Sequence, residues 1–98
     1  MSVVVVNRLQ LTIAVDDLAP VVEREFGPVF RAQPGFERFY LVKTEEQAAT
    51  VVIVWTDGAT AAAGAAVIGP TLFNEHLIPV LAGPQERSSG PAVVAIVP

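Results

Sequence analysis

Few side chains in these 98 residues could do chemistry, and they can be taken one by one. The only histidine, His76, follows Glu75 within the stretch GPTLFNEHLIPVLAG at 69–83. A histidine titrates near neutral pH, so His76 suits a general base or a ligand. On a helical edge it also serves as an ordinary rim residue. Asn7 interrupts an apolar strand, VVVVNRLQLTI at 3–13. A buried amide needs partners, which are either backbone or water at an irregularity, or the oxygen of a bound ligand. The single tryptophan, Trp55, ends TVVIVWT at 50–56. Its bulk suits a core, and its indole N–H can reach a ligand. Tyr40 and Arg38 fall on the same strand face as Phe36 in PGFERFYLVK, where they suit either a pocket or a subunit interface. Phe73 lies three residues before His76, beside Leu72, and is a candidate pocket wall.

Other chemistries lack their residues. There is no cysteine, hence no thiolate nucleophile, disulfide or thiolate metal site. One histidine without a carboxylate cluster gives no metal-ligand spacing. AAAGAAVIG at 61–69 is a small-residue helix and not a phosphate loop, so no nucleotide cofactor is implied. Six scattered cations against ten acidic residues, a net charge of −4, offer no phosphate-tracking surface, which argues against nucleic acid. Hydrophobic residues make up 52% and charged ones 16%, which fits one folded domain over 1–98. No segment reads as a signal peptide or a membrane span. The expectation is a soluble, cytoplasmic protein.

The elements that must position these residues follow from periodicity. A strand at 3–13 is followed by a helix capped at Asp16 or Asp17, with Leu18, Val22, Phe26 and Val29/Phe30 at helical spacing. Gly27-Pro28 is expected to kink or end it. QPG at 33–35 is a turn, and strands are expected at 36–43 and 50–56. Asp57-Gly58 breaks the chain before an Ala-rich helix. Gly69-Pro70 interrupts that helix, and a further helical run reaches Pro79. QERSSG is expected as loop and PAVVAIV at 91–97 as the last strand. The order β-α-β-β-α-β is the ferredoxin-like α+β arrangement, a four-stranded antiparallel sheet with both helices on one face.

Two faces of that sheet carry apolar residues, whereas a sheet wetted on one side alternates. In the first strand Val5, Asn7, Leu9 and Leu11 share one face; Val4, Val6 and Arg8 share the other. Two helices cover one face only. The cheapest cover for the second is another copy, so a homodimer through the sheet face is expected. Asn7 is expected deep under the helices, with His76 at the pocket mouth and Glu75 turned to solvent.

NRL at 7–9, PGFERFYLVK at 34–43 and VIVWT at 52–56 resemble motifs of the antibiotic-biosynthesis-monooxygenase superfamily of dimeric α/β barrels. The resemblance covers nearly the whole chain. It implies a cofactor-independent monooxygenase acting on a small aromatic or polyketide-like substrate in an apolar pocket. Asn7 would then polarise the substrate oxygen and His76 accept a proton, with Trp55, Phe73 and Tyr40 as pocket residues. Two further readings stay open, a non-catalytic ligand-binding or structural dimer and a haem-binding or haem-degrading protein. Of the haem branch's features Asn7 matches. His76 sits about one residue out of register, and AAAGAA stands where that branch has a helix Trp.

Overall fold

The computed structural model describes all residues, Met1–Pro98. Four antiparallel strands form one sheet in the order β2-β3-β1-β4. They are β1 (Val3–Gln10), β2 (Phe36–Glu45), β3 (Ala48–Trp55) and β4 (Glu86–Pro91). Between β1 and β2 runs a helix, α1 (Val15–Val21), which widens into a π turn (Val22–Phe26) and resumes as α2 (Gly27–Arg31). Between β3 and β4 runs α3 (Gly58–Ile68), then a π-helical stretch (Gly69–Leu77) and a 3-10 turn (Ile78–Val80). No helix is long and apolar enough to cross a membrane.

The alternation in β1 decides the layering. Val5, Asn7 and Leu9 are buried, and with Val51, Ile53 and Trp55 of β3 they meet Leu18, Val22, Phe26 and Phe30 of the first helical run. Ile68, Leu72 and Leu77 of the second run close the same core. The opposite face carries Val4, Val6, Val52 and Val54, all half-buried with no helix over them.

Several elements differ from the expectation, each for a physical reason. Asp16 and Asp17 are not the cap; Ala14 takes that place with no side-chain bond, and the two aspartates sit in the first turn, where the helix dipole favours them. Asp16 instead accepts a hydrogen bond of 2.9 Å from Lys43 Nζ. Gly27-Pro28 does not end the helix. Pro28 cannot donate to the carbonyl of Arg24, and the π turn just before it re-spaces those carbonyls. That turn also explains the pattern 18, 22, 26, 30. Four-residue steps drift by roughly 40° each on an α-helix, and the wider turn cancels the drift. The second helical run absorbs Gly69-Pro70 in the same way.

The last strand is displaced. β4, Glu86–Pro91, lies almost wholly in the polar stretch expected as loop and pairs with β1, while Ala92–Pro98 forms no strand and leaves Val93, Val94, Ile96 and Val97 exposed. An edge strand is held by backbone bonds to one neighbour and needs no apolar side chains. The β-branched run at 92–97 has strand propensity but no partner within this chain. By contrast, Asp57 ends β3 and caps α3: its Oδ1 accepts the Thr60 N–H at 2.8 Å, and Asp57 N–H donates to Thr60 Oγ1 at 3.3 Å. The turn before β2 places Gly35 at φ 76°, left-handed backbone that glycine adopts without penalty.

Candidate functional site

Asn7 lies in the middle of β1, between Val51 of β3 and Arg87 of β4. It is 1% exposed and is the only buried polar residue in the core. Its Oδ1 is sealed from solvent and has no hydrogen-bond partner. A buried unpaired acceptor costs about 1–3 kcal/mol, so this atom marks a place where a donor is missing.

The amide opens on a cavity of about 230 Å³ between the inner sheet face and the second helical run. Trp55, Ile53, Phe30, Ile68 and Phe73 supply its apolar wall. Gln85 and Arg87 join Asn7 as the polar groups, and Arg87 is the sole charged residue lining it. Trp55 is 2% exposed and packs its six-membered ring on Gly64 of α3, where a Cβ would collide with it. The AAAGAA stretch thus lets the indole wedge against the helix. Phe36 meets that indole edge-on at 5.8 Å, and Phe30 lies 6.2 Å from it.

The sequence-derived site residues separate. Asn7, Trp55 and Phe73 line this cavity together; His76 and Tyr40 do not. His76 is half-buried against Phe26, ring centroids 6.0 Å apart, and Glu75 faces solvent. The reason is helical pitch. On the π-helical stretch the buried pair is Leu72 and Leu77, five residues apart, which is the i→i+5 repeat of that helix. Phase counted at α-helical pitch no longer places His76. The expectation that His76 and Asn7 face one pocket is therefore corrected, and the cavity lining holds no histidine or carboxylate.

Tyr40 is half exposed and pairs with Val52 on the outer face of the sheet. A β-bulge between Phe36 and Arg38 inserts Glu37 and inverts the alternation. Phe36 consequently points inward, while Arg38 and Tyr40 do not share its face as expected. Tyr40 borders a second, larger cleft of about 590 Å³ along the β2 edge. That cleft is lined by Phe26, Phe39 and several exposed charges, and it does not include Asn7.

Arg87 was missed because QERSSG reads as a loop. The available signal was register: once 86–91 is paired with β1, Arg87 stands opposite Asn7 and on the same face.

This cavity offers a haem iron no imidazole ligand. The cavity is about 230 Å³ and His76 is not part of it. No group of three or more His, Cys, Asp or Glu residues could hold a metal ion.

No protein-family model and no curated protein sequence matches this chain. Solved structures do. The structure of SnoaB, a cofactor-independent oxygenase from Streptomyces nogalater, is similar at a TM-score of 0.80 and 24% identity, covering 97% of this chain and 96% of that one. The ActVA-Orf6 monooxygenase of Streptomyces coelicolor, solved with the ligand nanaomycin D, is similar at TM-score 0.79 and 19% identity, covering 99% and 92%. A point mutant of MhuD, solved with two manganese protoporphyrin IX bound per active site, reaches 0.74 at 17% identity, covering 98% and 99%. At these identities the likeness establishes the architecture and not the reaction. The chain has the ferredoxin-like α+β fold shared by the antibiotic biosynthesis monooxygenases.

Proposed function

We propose that this protein is a homodimeric, cofactor-independent monooxygenase acting on a small hydroxylated aromatic held in the Asn7 cavity. The observation that carries the reading is the buried Asn7 carboxamide in the lining of an aromatic-walled cavity. The similar oxygenase structures support the class.

The chemistry asks little of the protein. An ionised phenol or enol passes one electron to dioxygen, giving a substrate radical and superoxide. These combine at a carbon conjugated with the oxygen to form a peroxide. Where that carbon carries a hydrogen, the protonated peroxide loses water and leaves a carbonyl, so one oxygen atom stays in the product and the other leaves as water. Asn7, with an acceptor and two donors on one carboxamide, contacts the substrate oxygen. Trp55, Phe30 and Phe73 fix the ring and exclude bulk water. No imidazole or carboxylate lines the cavity to take the phenolic proton. The substrate is therefore taken up already ionised, and His76 is not the base.

The dimer rests on the outer sheet face, where Val4, Val6, Val52 and Val54 form an apolar surface without a helix. Light scattering should give about twice the 10.4 kDa of one chain. Val6→Asp should split or unfold the dimer, because it buries a carboxylate without a partner; a stable wild-type monomer at micromolar concentration contradicts this assembly.

Oxygen uptake tests the reaction. The purified wild-type chain should consume oxygen with a hydroxylated one- or two-ring aromatic and without added metal or cofactor, and Asn7→Leu should lower the rate at least tenfold. A second reading, ligand binding without turnover, is favoured by the lack of a base in the cavity. Binding without oxygen uptake across such a panel selects it.

A further inference from the structure

The polar groups of the Asn7 cavity specify more than a hydroxylated ring. Asn7 and Arg87 are directly opposed in the β1–β4 ladder, so their side chains leave the sheet on the same face, with Cβ atoms roughly 5 Å apart. They end at different depths. Asn7 is 1% exposed, whereas Arg87 is exposed and extends several bonds further from the same baseline. Arg87 enters none of the ion pairs, which Arg24 and Lys43 make. The cavity lining contains no other charge. A buried carboxamide thus stands at the floor, and a cation lacking an anion stands at the mouth. Apolar wall fills the space between them.

We propose that the cavity selects a one- or two-ring hydroxyaromatic carboxylate, its hydroxyl oxygen meeting the Asn7 carboxamide at the floor and its carboxylate held by Arg87 at the mouth. This deepens the proposed function by naming the substrate class of the same site. Depth sets the substitution pattern: the two oxygen functions lie at opposite ends of the ring system. Volume sets its size. An apolar cavity of about 150 Å³ holds one benzene ring, and sites for drug-sized ligands start at about 300 Å³. At about 230 Å³, one or two fused rings fit and a tetracyclic skeleton does not. Charge sets its class. In a chain of net charge −4, an anion is repelled everywhere except beside a free cation. Arg87 presents a planar fork that matches a carboxylate.

Calorimetric titration of the full chain with 4-hydroxybenzoate, its methyl ester, benzoate and 6-hydroxy-2-naphthoate tests this directly. Emission of Trp55, the only tryptophan, reports occupancy of the cavity in parallel. The two hydroxy acids should bind to the wild type, with benzoate about tenfold weaker for one lost hydrogen bond and the ester about two- to fivefold weaker for one lost exposed charge-assisted contact. Arg87→Gln should abolish the preference for acid over ester, and Arg87→Lys should retain most of it. Thermal unfolding should not change in either variant, because Arg87 makes no ion pair. Asn7→Leu should abolish the preference for 4-hydroxybenzoate over benzoate. The proposal is overturned if the wild type binds ester and acid equally, if Arg87→Gln leaves their ratio intact, or if none of the four probes binds. The failure of the oxygenase reading looks different: acid-selective binding with no oxygen uptake on any probe keeps this ligand class and removes the reaction. Oxygen uptake on neutral phenols with no acid preference keeps the reaction and removes the class.

Discussion

Asn7 and His76 began as the two residues best suited to chemistry, and the fold treats them in opposite ways. Asn7 sits on a flat, regular strand paired on both sides, and it faces a cavity with its acceptor unpaired. His76 sits on a π-helical stretch and spends its ring on Phe26, away from that cavity. Strand alternation has a period of two and admits few errors unless a bulge intervenes. Helical phase accumulates error with every residue, and one widened turn redirects everything after it. The face expected for Asn7 is therefore the one observed, whereas the phase expected for His76 is not.

The strongest way to break the contrast is to remove the wall that only the Asn7 region has. Gly64→Leu drives a side chain into the Trp55 ring. Replacing a helical glycine gains up to about 1 kcal/mol of propensity, but overpacking costs about 1–3 kcal/mol and sometimes more. The net effect should be destabilising by about 1–2 kcal/mol, with shifted Trp55 emission, measured by thermal unfolding and fluorescence. Unchanged stability and emission would mean the indole does not lie on α3.

A smaller effect sharpens the other side. His76→Ala removes one half-buried aromatic contact with Phe26, worth about 1 kcal/mol. Denaturant unfolding should show that loss, while ligand affinity changes by less than about twofold.

The smallest effect belongs to the start of the second helical run. The Thr60 backbone N–H, followed by the Thr60 side chain, holds the Asp57 carboxyl below its ordinary 3.8. A depressed folded-state value means the ionised cap stabilises above 3.8, and its contribution fades as pH falls through the lower folded value. Melting temperature should therefore lose a small increment only in the acid range, and Asp57→Asn should flatten that increment. An identical acid profile in Asp57→Asn would remove Asp57 as its source.

Much of the architecture was legible in the sequence, and the failures share a cause. The alternation around Asn7, the Asp57-Gly58 break and the β-α-β-β-α-β order were readable because each depends on local backbone preference. The displaced β4 was not, since Glu86–Pro91 is a strand only by virtue of its pairing with β1. Glu37 hid in the same way: a bulge is one extra residue against a partner strand and leaves no compositional mark. Tyr40 therefore moved to the outer face. Arg87 went unnoticed because its meaning comes from standing opposite Asn7. His76 was misplaced because GPTLFNEHL carries nothing that separates a π pitch from an α pitch except an extra residue. That extra residue was visible in the register of His76, but its structural consequence was not.

The most direct test of the contrast sets Asn7→Leu beside His76→Gln in one calorimetric titration with 4-hydroxybenzoate. Leucine has nearly the shape of asparagine and removes the unpaired acceptor, so the protein should remain folded while affinity falls at least tenfold, about 1.4 kcal/mol. His76→Gln should bind as the wild type does. Equal binding by Asn7→Leu, or a loss confined to His76→Gln, would contradict the account and return the chemistry to the helix.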